Sequence, residues 1–295
     1  MAKSSSNTLS NVNLDQYQVR KTNKFVKVLI YIGLVVWLLV DLFPVYYLFT
    51  FSLKDNTEIL RTNVLGLPHQ WLFENYAKAL EPGKIQTGLL NSVIVAVATI
   101  TLTLVVALMA TYALTRIDWK GNKLLYSIFM LGITIPVHVA LFPVFLMFSR
   151  VGITNTLSSL IIPYVAFAVP MAIMISAGFM NDIPIELDEA ARIDGCGLWG
   201  TFFRVIVPLM KPALATVGIY TFLQCWNEFL FANVFLTSEE KYTLPCAVYS
   251  LKGKDMVNYG LLGAGLALAT FPMLIIYVLL SKRIQESFIV GAVKG

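Results

Sequence analysis

The chain has 295 residues and a formal net charge of +5, and 57% of its residues are hydrophobic. Only 13% are charged, about half the roughly 25% that is usual in soluble proteins. This composition excludes a soluble globular protein, a disordered chain and a collagen-like chain, and it predicts an all-α polytopic membrane protein. In such a protein basic residues report membrane orientation, so the positive charge does not predict a nucleic-acid partner.

Six stretches are long and apolar enough to cross a bilayer as helices, since one crossing takes roughly 20 mostly apolar residues. They do not alternate with polar residues, as the strands of a membrane barrel must. Prolines inside the spans, including Pro136, are tolerated in membrane helices and are expected to kink them. The predicted spans cover residues 28–52, 88–115, 124–147, 157–179, 212–236 and 258–281. Residues 28–282 are therefore expected to form one transmembrane domain between terminal tails at 1–27 and 283–295.

The distribution of basic residues predicts the orientation of these spans. With six spans both termini lie on one side, and that side holds 14 of the 22 Lys and Arg residues. Because basic residues are enriched in cytoplasmic loops, both termini are expected in the cytoplasm. Cys246 would then be the single thiol in an external loop, open to labelling from outside. The Ser- and Asn-rich stretch 4–13 is expected to be flexible.

The loop predicted at 181–211 is long and patterned. Asn181 or Asp182 is expected to cap a first helix, which Gly195 would end because glycine adopts the left-handed conformation that stops helices. A second short helix is predicted at about 198–206. A connector lying on the membrane surface is one interpretation, but surface helices favour Lys and Arg. The first helix is acidic, which favours docking to another protein.

The motifs of common enzyme chemistries are missing from the sequence. There is no phosphate-binding loop that ends in Gly-Lys-Ser or Gly-Lys-Thr, so the chain cannot hydrolyse ATP by that device. Residues 195–200 match a dinucleotide-binding pattern, but a helix-like acidic segment precedes them in place of the required strand. The two histidines and three cysteines have no metal-ligand spacing. The chain is therefore expected to hold no cofactor or metal and to have no catalytic residues.

The sequence of this loop carries a resemblance to a known family. Glu189, Ala190 and Ala191, followed by Gly195 and Pro208, resemble the EAA loop of ABC-importer permeases. The string from Glu189 to Gly195 is similar to that of carbohydrate importers of the maltose type, in particular to their smaller six-span permease subunit. The resemblance extends over most of the chain, through Asn91-Ser92, Tyr112-Ala113-Leu114, Trp226-Asn227-Glu228 and residues 291–295.

This resemblance implies the partners of an ABC importer in a bacterial or archaeal cytoplasmic membrane. The EAA helix would be a cytoplasmic coupling helix in a cleft of an ATPase subunit, and two such subunits would bind ATP and Mg. A second, homologous permease subunit would complete the pore within the membrane lipid. An extracytoplasmic binding protein would deliver a sugar or oligosaccharide. The implied coupling residues are Glu189, Ala190, Ala191, Asp194, Gly195 and Pro208.

Polar residues in the fifth predicted span indicate a substrate pathway, because polar groups inside a membrane are costly and usually functional. The spacing of Tyr220, Gln224, Asn227 and Glu228 puts them on one helical face, which Phe231 extends. Amides bind sugar hydroxyls and aromatic rings pack against sugar C–H groups, so this face is expected to line the pathway. The alternative is interhelical hydrogen bonding that only holds the bundle together.

The end of the chain is expected to contact the ATPase subunits. Residues 288–290 and Val293 are apolar, whereas disordered tails are poor in such residues. Gly291 and Gly295 flank a small unit with a single cation, Lys294, that could enter a crevice between two partner subunits. The alternative is that residues 288–290 lie on the membrane interface.

Two other classes of function compete with an importer subunit. An ion-gradient-driven secondary transporter would use Asp41 and Glu228 as ion sites but would leave the docking loop without a role. A membrane-embedded transferase or protease would need clustered catalytic groups, and the histidines at 69 and 138 are far apart. His138, which follows Pro136, is expected to be a hydrogen-bonded packing residue.

Overall fold

The computed structural model describes residues 24–81, 85–253 and 257–292, and these residues contain helices and no strand. The helices are α1 Lys24–Ser52, α2 Glu74–Ala79, α3 Ile85–Thr115, α4 Asn122–Thr134, α5 Leu141–Val151, α6 Ser158–Asn181, α7 Glu186–Ile193, α8 Leu198–Leu209, α9 Lys211–Asn227, α10 Leu230–Phe235, α11 Leu244–Ser250 and α12 Tyr259–Ala292. The predicted flexible stretch 4–13 lies outside the described residues.

Four of these helices are long and apolar enough to cross a membrane, namely α1, α3, α6 and the part of α12 at Tyr259–Val278. Two bent pairs of helices can each make one further span, which gives up to six spans in the described residues. The predicted class, an all-α polytopic membrane protein, is confirmed. α12 continues as a helix to Ala292, through residues that were expected to form a separate tail.

The third predicted span is broken. α4 and the segment Val137–Val151 meet at 90°. Pro136 lacks an N–H and disfavours a helical conformation in the residue before it. Ile135 is accordingly extended, with φ −79° and ψ 117°. The expected kink at Pro136 is therefore a complete break, and one continuous helix over 124–147 is wrong.

The fifth predicted span, 212–236, is also wrong as one helix. α9 ends at Asn227, and Glu228 is extended with φ −74° and ψ 123° before α10 begins. At its other end α9 meets α8 at 74°. α8 contains a π-helical stretch, Phe202–Ile206, directly before the turn that holds Pro208. Pro208 has no N–H to donate to the preceding turn, which favours such a local irregularity.

Helices α3 and α6 pack at the centre of the bundle and position both candidate sites. Ala107 of α3, Ala172 and Ile173 of α6 and Val217 of α9 share one buried cluster. Near the start of α3, Val95 packs with residues of α10, and near its end Tyr112 packs with residues of α8. The segments around α7–α8 and around α10 therefore lie near opposite ends of α3.

Cys246 lies in α11 and its side chain is buried, with only 3% of the residue exposed. Burial raises the pKa of the Cys246 thiol to about 11. Since the thiolate is the reactive form, the expectation that Cys246 is open to labelling is wrong. The sequence places this residue in a loop, but the loop folds into a helix that packs against the bundle.

Candidate functional site

Helix α7 forms inside the loop predicted at 181–211, but its beginning differs from the prediction. α6 continues to Asn181, and Asp182 is the residue that flanks the end of α6. α7 begins at Glu186 after Ile185, which makes no side-chain cap hydrogen bond. The predicted cap at Asn181 or Asp182 is therefore wrong. Met180, in the last turn of α6, is fully buried and packs into the core with residues of α3 and α8, which anchors this end of the helix.

The end of α7 has the predicted geometry. Gly195 has a φ of +83°, in the left-handed region. The N–H of Cys196 donates to the carbonyl of Ala191 at 2.9 Å, and the N–H of Gly195 donates to the carbonyl of Arg192 at 3.0 Å. These two bonds form the Schellman pattern that closes a helix. Asp194 is the flanking residue at this end and is exposed.

The two faces of α7 differ in exposure. Asp188 and Ala191 are 2% and 7% exposed, and they face the bundle. Glu189 and Ala190 are exposed on the other side. Ile193, at the end of the helix, is 86% exposed. Large apolar side chains in open positions mark interaction sites when they cluster.

Helix α8 continues this exposed surface. Trp199 and Phe203 are 57% and 59% exposed, and their rings stack with 6.0 Å between centroids. Pro208 is exposed near the end of α8. The structure thus leaves the predicted coupling residues Glu189, Ala190, Asp194, Gly195 and Pro208 at the surface and turns Ala191 inward.

An open groove of about 460 Å³ lies beside the break between α9 and α10. It is lined by His138, Leu223, Gln224, Asn227, Glu228, Phe229 and Leu230. Gln224 and Asn227 are exposed in the last turns of α9, and the Asn227 side-chain amide donates to the carbonyl of Leu223 at 2.9 Å. Two amides, a carboxylate, an imidazole and an aromatic ring therefore line one groove.

Two residues of the predicted pathway face are placed elsewhere. Tyr220 is half-buried in α9 and is not among the residues that line the groove. Phe231 lies in α10 with no exposed surface, and its ring packs edge-on against Tyr164 and Phe167. The prediction of one continuous helical face through Phe231 is wrong, because the helix ends at Asn227.

Glu228 occupies the break between α9 and α10 and binds the start of α10. Its Oε1 accepts the N–H of Phe231 at 2.8 Å, and its Oε2 accepts the N–H of Ala232 at 3.2 Å. The hydroxyl of Tyr164 also donates to Oε2. A carboxylate that accepts free N–H groups at a helix start stabilises that start. Glu228 thus holds the shape of the groove as well as lining it.

His138 and Tyr164 have roles at the groove that were not predicted from the sequence. His138 was expected to be packed, yet it is exposed and lines the groove. Pro136 was the sequence feature that could have indicated this exposure. A helix break at that proline means that His138 does not continue the helical face of α4. Tyr164 is 8% exposed and reaches Glu228 from α6. Only a contact between distant segments identifies it.

The predicted C-terminal contact falls at the limit of the described residues. Gly291 is in the last turn of α12. Lys294 and Gly295 lie outside the described residues. Within the part of the chain that the structure describes, no group of three or more His, Cys, Asp or Glu residues could hold a metal ion.

Comparison with known proteins decides the family. Residues 103–288, from within α3 to within α12, match the family described as binding-protein-dependent transport system inner membrane component. The chain belongs to this family. This permease is 38% identical to a putative ABC transporter permease protein, ORF2, from Caldicellulosiruptor sp. (strain Rt8B.4), over 90% of this chain and 96% of the relative.

Two further similarities extend the comparison. The permease is 35% identical to the diacetylchitobiose uptake system permease protein NgcG of Streptomyces coelicolor, over 86% of this chain and 84% of the relative. Its fold matches a chain in the crystal structure of a bacterial ABC transporter involved in the import of alginate. That match has a TM-score of 0.76 and 22% identity, and covers 89% of this chain and 97% of that chain.

Family membership establishes the general role of the permease. It is a multi-pass component of the inner, or cytoplasmic, membrane in an ABC importer that works with a binding protein and with ATPases. ATP is hydrolysed by separate subunits, so the predicted non-enzymatic role and the absence of a cofactor from this chain are confirmed. The ion-driven transporter and the membrane enzyme are excluded by the same match.

Proposed function

We propose that the permease forms half of the translocation pathway for a sugar or oligosaccharide. The groove at the end of α9 carries this proposal, because the amides of Gln224 and Asn227 lie there beside the ring of Phe229. Amides bind sugar hydroxyls, and aromatic rings pack against sugar C–H groups. The groove, at about 460 Å³, also falls within the range of roughly 300–1,000 Å³ that is typical of small-molecule sites.

The relatives support the same substrate class. NgcG is a permease of a diacetylchitobiose uptake system and aligns over most of both chains. In the proposed importer an extracytoplasmic binding protein delivers the sugar, and a second homologous permease subunit supplies the other half of the pathway. Two ATPase subunits bind ATP and Mg and drive the cycle.

The exposed surface of α7 and α8 is the proposed docking surface for one ATPase subunit. Glu189 and Ala190 lie on its polar side, and Ile193 presents a large apolar side chain. The small side chain of Ala190 permits close approach of a partner. Gly195 fixes the turn that separates α7 from α8. An acidic helix with exposed apolar residues is suited to a partner cleft that has a basic and an apolar part.

The proposed orientation places α7, α8 and both termini in the cytoplasm. The side that holds them carries 14 of the 22 Lys and Arg residues, as expected for a cytoplasmic face. Residues 291–295 would then lie on the side of the ATPase subunits. Gly291, Lys294 and Gly295 are proposed to contact these subunits.

The substrate class is tested with the complete importer reconstituted in lipid vesicles. Uptake of labelled di- and oligosaccharides, including diacetylchitobiose, is measured beside uptake of an amino acid. Gln224→Ala and Asn227→Ala should each lower sugar uptake about 5- to 150-fold, which corresponds to about 1–3 kcal/mol for a polar partner left unpaired. The assembled complex should remain at the wild-type level.

Asn233→Ala is the matched control for Asn227→Ala. Asn233 is exposed in α10 and does not line the groove, so its replacement should leave uptake unchanged. If the groove variants lose assembly and uptake in equal proportion, the amides only hold the bundle together. Transport of amino acids in preference to all saccharides would contradict the substrate class itself.

A further inference from the structure

The side chain of Arg116 connects the end of α3 to the end of α6. Arg116 directly follows α3, and its Nη2 donates to the carbonyls of Met180 at 2.6 Å and Ile183 at 2.5 Å. Met180 lies in the last turn of α6, where carbonyl groups lack the usual helical partners. A cation is favourable there because the end of a helix carries partial negative charge. One guanidinium thus fastens two membrane helices at the same end.

The same guanidinium also reaches α7. Its Nη1 lies 3.6 Å from Oδ2 of Asp188, and the two side chains are 6% and 3% exposed. The hydroxyl of Tyr112 donates to Oδ1 of Asp188 at 3.2 Å. We call Tyr112, Arg116 and Asp188 the latch. It holds α7 by its inner face, which is the face opposite Glu189 and Ala190.

A buried ion pair is a costly way to hold two helices together. Removing two charges from water is unfavourable, and apolar residues of similar volume often stabilise a protein equally well. Arginine can nevertheless contact several acceptors at once because its guanidinium carries five N–H groups in a rigid plane. Here Nη2 of Arg116 donates to two carbonyls, and Nη1 forms an ion pair with Asp188 without a hydrogen bond. The latch therefore joins three segments through one side chain.

The latch also has a connection to the groove through a single helix. α6 carries Met180 at one end and Tyr164 about 24 Å away along the helix, at about 1.5 Å per residue. Tyr164 donates to Glu228, which holds the break that shapes the groove. Asp188 of α7 thus pairs with Arg116, Arg116 binds the end of α6, and Tyr164 of α6 binds Glu228. Between Met180 and Tyr164 the connection is the body of α6 itself.

We propose that Arg116 and Asp188 are positioning residues that transmit the movement of α7 to α3 and α6, and through α6 to the groove. This inference rests on the proposed docking of an ATPase subunit at α7. Movement of α7 by a partner would pull on Asp188, and the ion pair would carry α3 and α6 with it. The reverse also holds, because coupling between two sites is reciprocal.

The test uses the complete importer in lipid vesicles, with its binding protein and ATPase subunits. Asp188→Asn removes the negative charge but keeps the shape of the side chain and an acceptor oxygen for Tyr112. We expect the assembled complex and its basal ATPase activity to be retained. The stimulation of ATPase activity by loaded binding protein should fall about tenfold, within the usual range of allosteric coupling. Asp118→Asn, the same change at an exposed position, should leave the stimulation unchanged.

A double-mutant cycle shows whether Arg116 and Asp188 act through their contact with each other or independently. Arg116→Gln should also lower the stimulation, by at least as much as Asp188→Asn, because it also removes the bonds to Met180 and Ile183. Arg116→Gln with Asp188→Asn should be no worse than Arg116→Gln alone. Additive losses, or wild-type stimulation in both single variants, would overturn the proposal. A loss of stimulation that only follows a loss of assembled complex would make the pair purely structural and would overturn it too.

Two further variants cover a failure of Asp188→Asn to assemble and a failure of the proposed docking. If Asp188→Asn does not assemble, Arg116→Lys gives the same measurement, because lysine keeps the charge but cannot reproduce the planar fork. Glu189→Lys tests the proposed docking separately. Unchanged association of the ATPase subunits in that variant would contradict the docking surface, whereas the latch is judged by stimulation per assembled complex.

Discussion

Tyr164 of α6 and Glu228, at the break between α9 and α10, are joined by a hydrogen bond from the tyrosine hydroxyl to the carboxylate. The same carboxylate accepts two N–H groups at the start of α10. Three donors thus converge on one acidic side chain, and the break that forms the groove depends on them. Glu228 is placed to hold the groove in shape, while Gln224 and Asn227 have exposed side chains.

Glu228→Gln should lower the thermal stability of the purified complex and reduce uptake. Glutamine keeps one acceptor oxygen but directs an amide NH₂ toward groups that are themselves donors, so at least one donor loses its partner. The cost should be about 1–2 kcal/mol. Tyr164→Phe should cost less, because the carboxylate then keeps both N–H groups. The measurement is a thermal unfolding curve beside a sugar uptake assay.

Glu240→Gln provides the matched control for this change. Glu240 is exposed in the segment before α11, and its replacement should change neither stability nor uptake. An unaltered unfolding temperature for Glu228→Gln, together with abolished uptake, would show instead that Glu228 contacts the sugar directly.

Gly195→Ala should weaken coupling between the ATPase subunits and transport. Gly195 has a φ of +83° and open space where a Cβ would lie, so the cost arises from the backbone conformation alone, at about 1–2 kcal/mol. Gly195→Asn should be milder because asparagine tolerates this region. Gly195→Pro should be worse, since proline cannot adopt this φ and loses the N–H that bonds to Arg192.

Gly178→Ala is the control for the alanine variant. Gly178 lies in α6 with open space around it and ordinary helical conformation, so alanine there should be tolerated. ATP hydrolysed per sugar transported is the quantity to measure. If the wild type and Gly195→Pro hydrolyse the same amount of ATP per sugar transported, the turn at Gly195 has no role in coupling.

The sequence predicted those features that depend on local pattern. Apolar length identified the four continuous candidate spans and the stretches that contain the two bent pairs. The Asp194–Gly195 pair identified the end of α7. The break at Glu228 was missed because no proline or glycine lies near it. It is stabilised by Tyr164, which is remote in sequence. Arg116 and Asp188 meet for the same kind of reason, since helical periodicity cannot show which distant charges share a buried site.

Deletion of residues 291–295 should lower both ATPase stimulation and transport without loss of the membrane-inserted chain. α12 remains helical to Ala292, past Lys282 and Arg283, the first charged residues after its apolar stretch. Residues 284–292 extend this helix by about 13 Å beyond these charges, at about 1.5 Å per residue, so this part of α12 is long enough to approach a partner subunit. The measurement compares chain abundance in membranes with stimulated ATPase activity. Normal transport by the shortened chain would show that these residues make no functional contact.

Thiol labelling should establish the proposed orientation. Because the native Cys246 is buried, the outer side is labelled at a cysteine introduced at an exposed position. Glu240→Cys should react with a membrane-impermeant maleimide added to sealed cells, because this position is exposed and lies on the proposed outer side. Cys196, half-buried beside α8, should react only after permeabilisation. Native Cys246 should stay largely unmodified in both conditions at neutral pH, because its burial raises the thiol pKa to about 11. Only a small fraction is then thiolate, and that fraction should rise as the pH approaches the pKa. Reaction of Cys196 in sealed cells would reverse the assigned orientation and would place α7 outside, away from any ATPase.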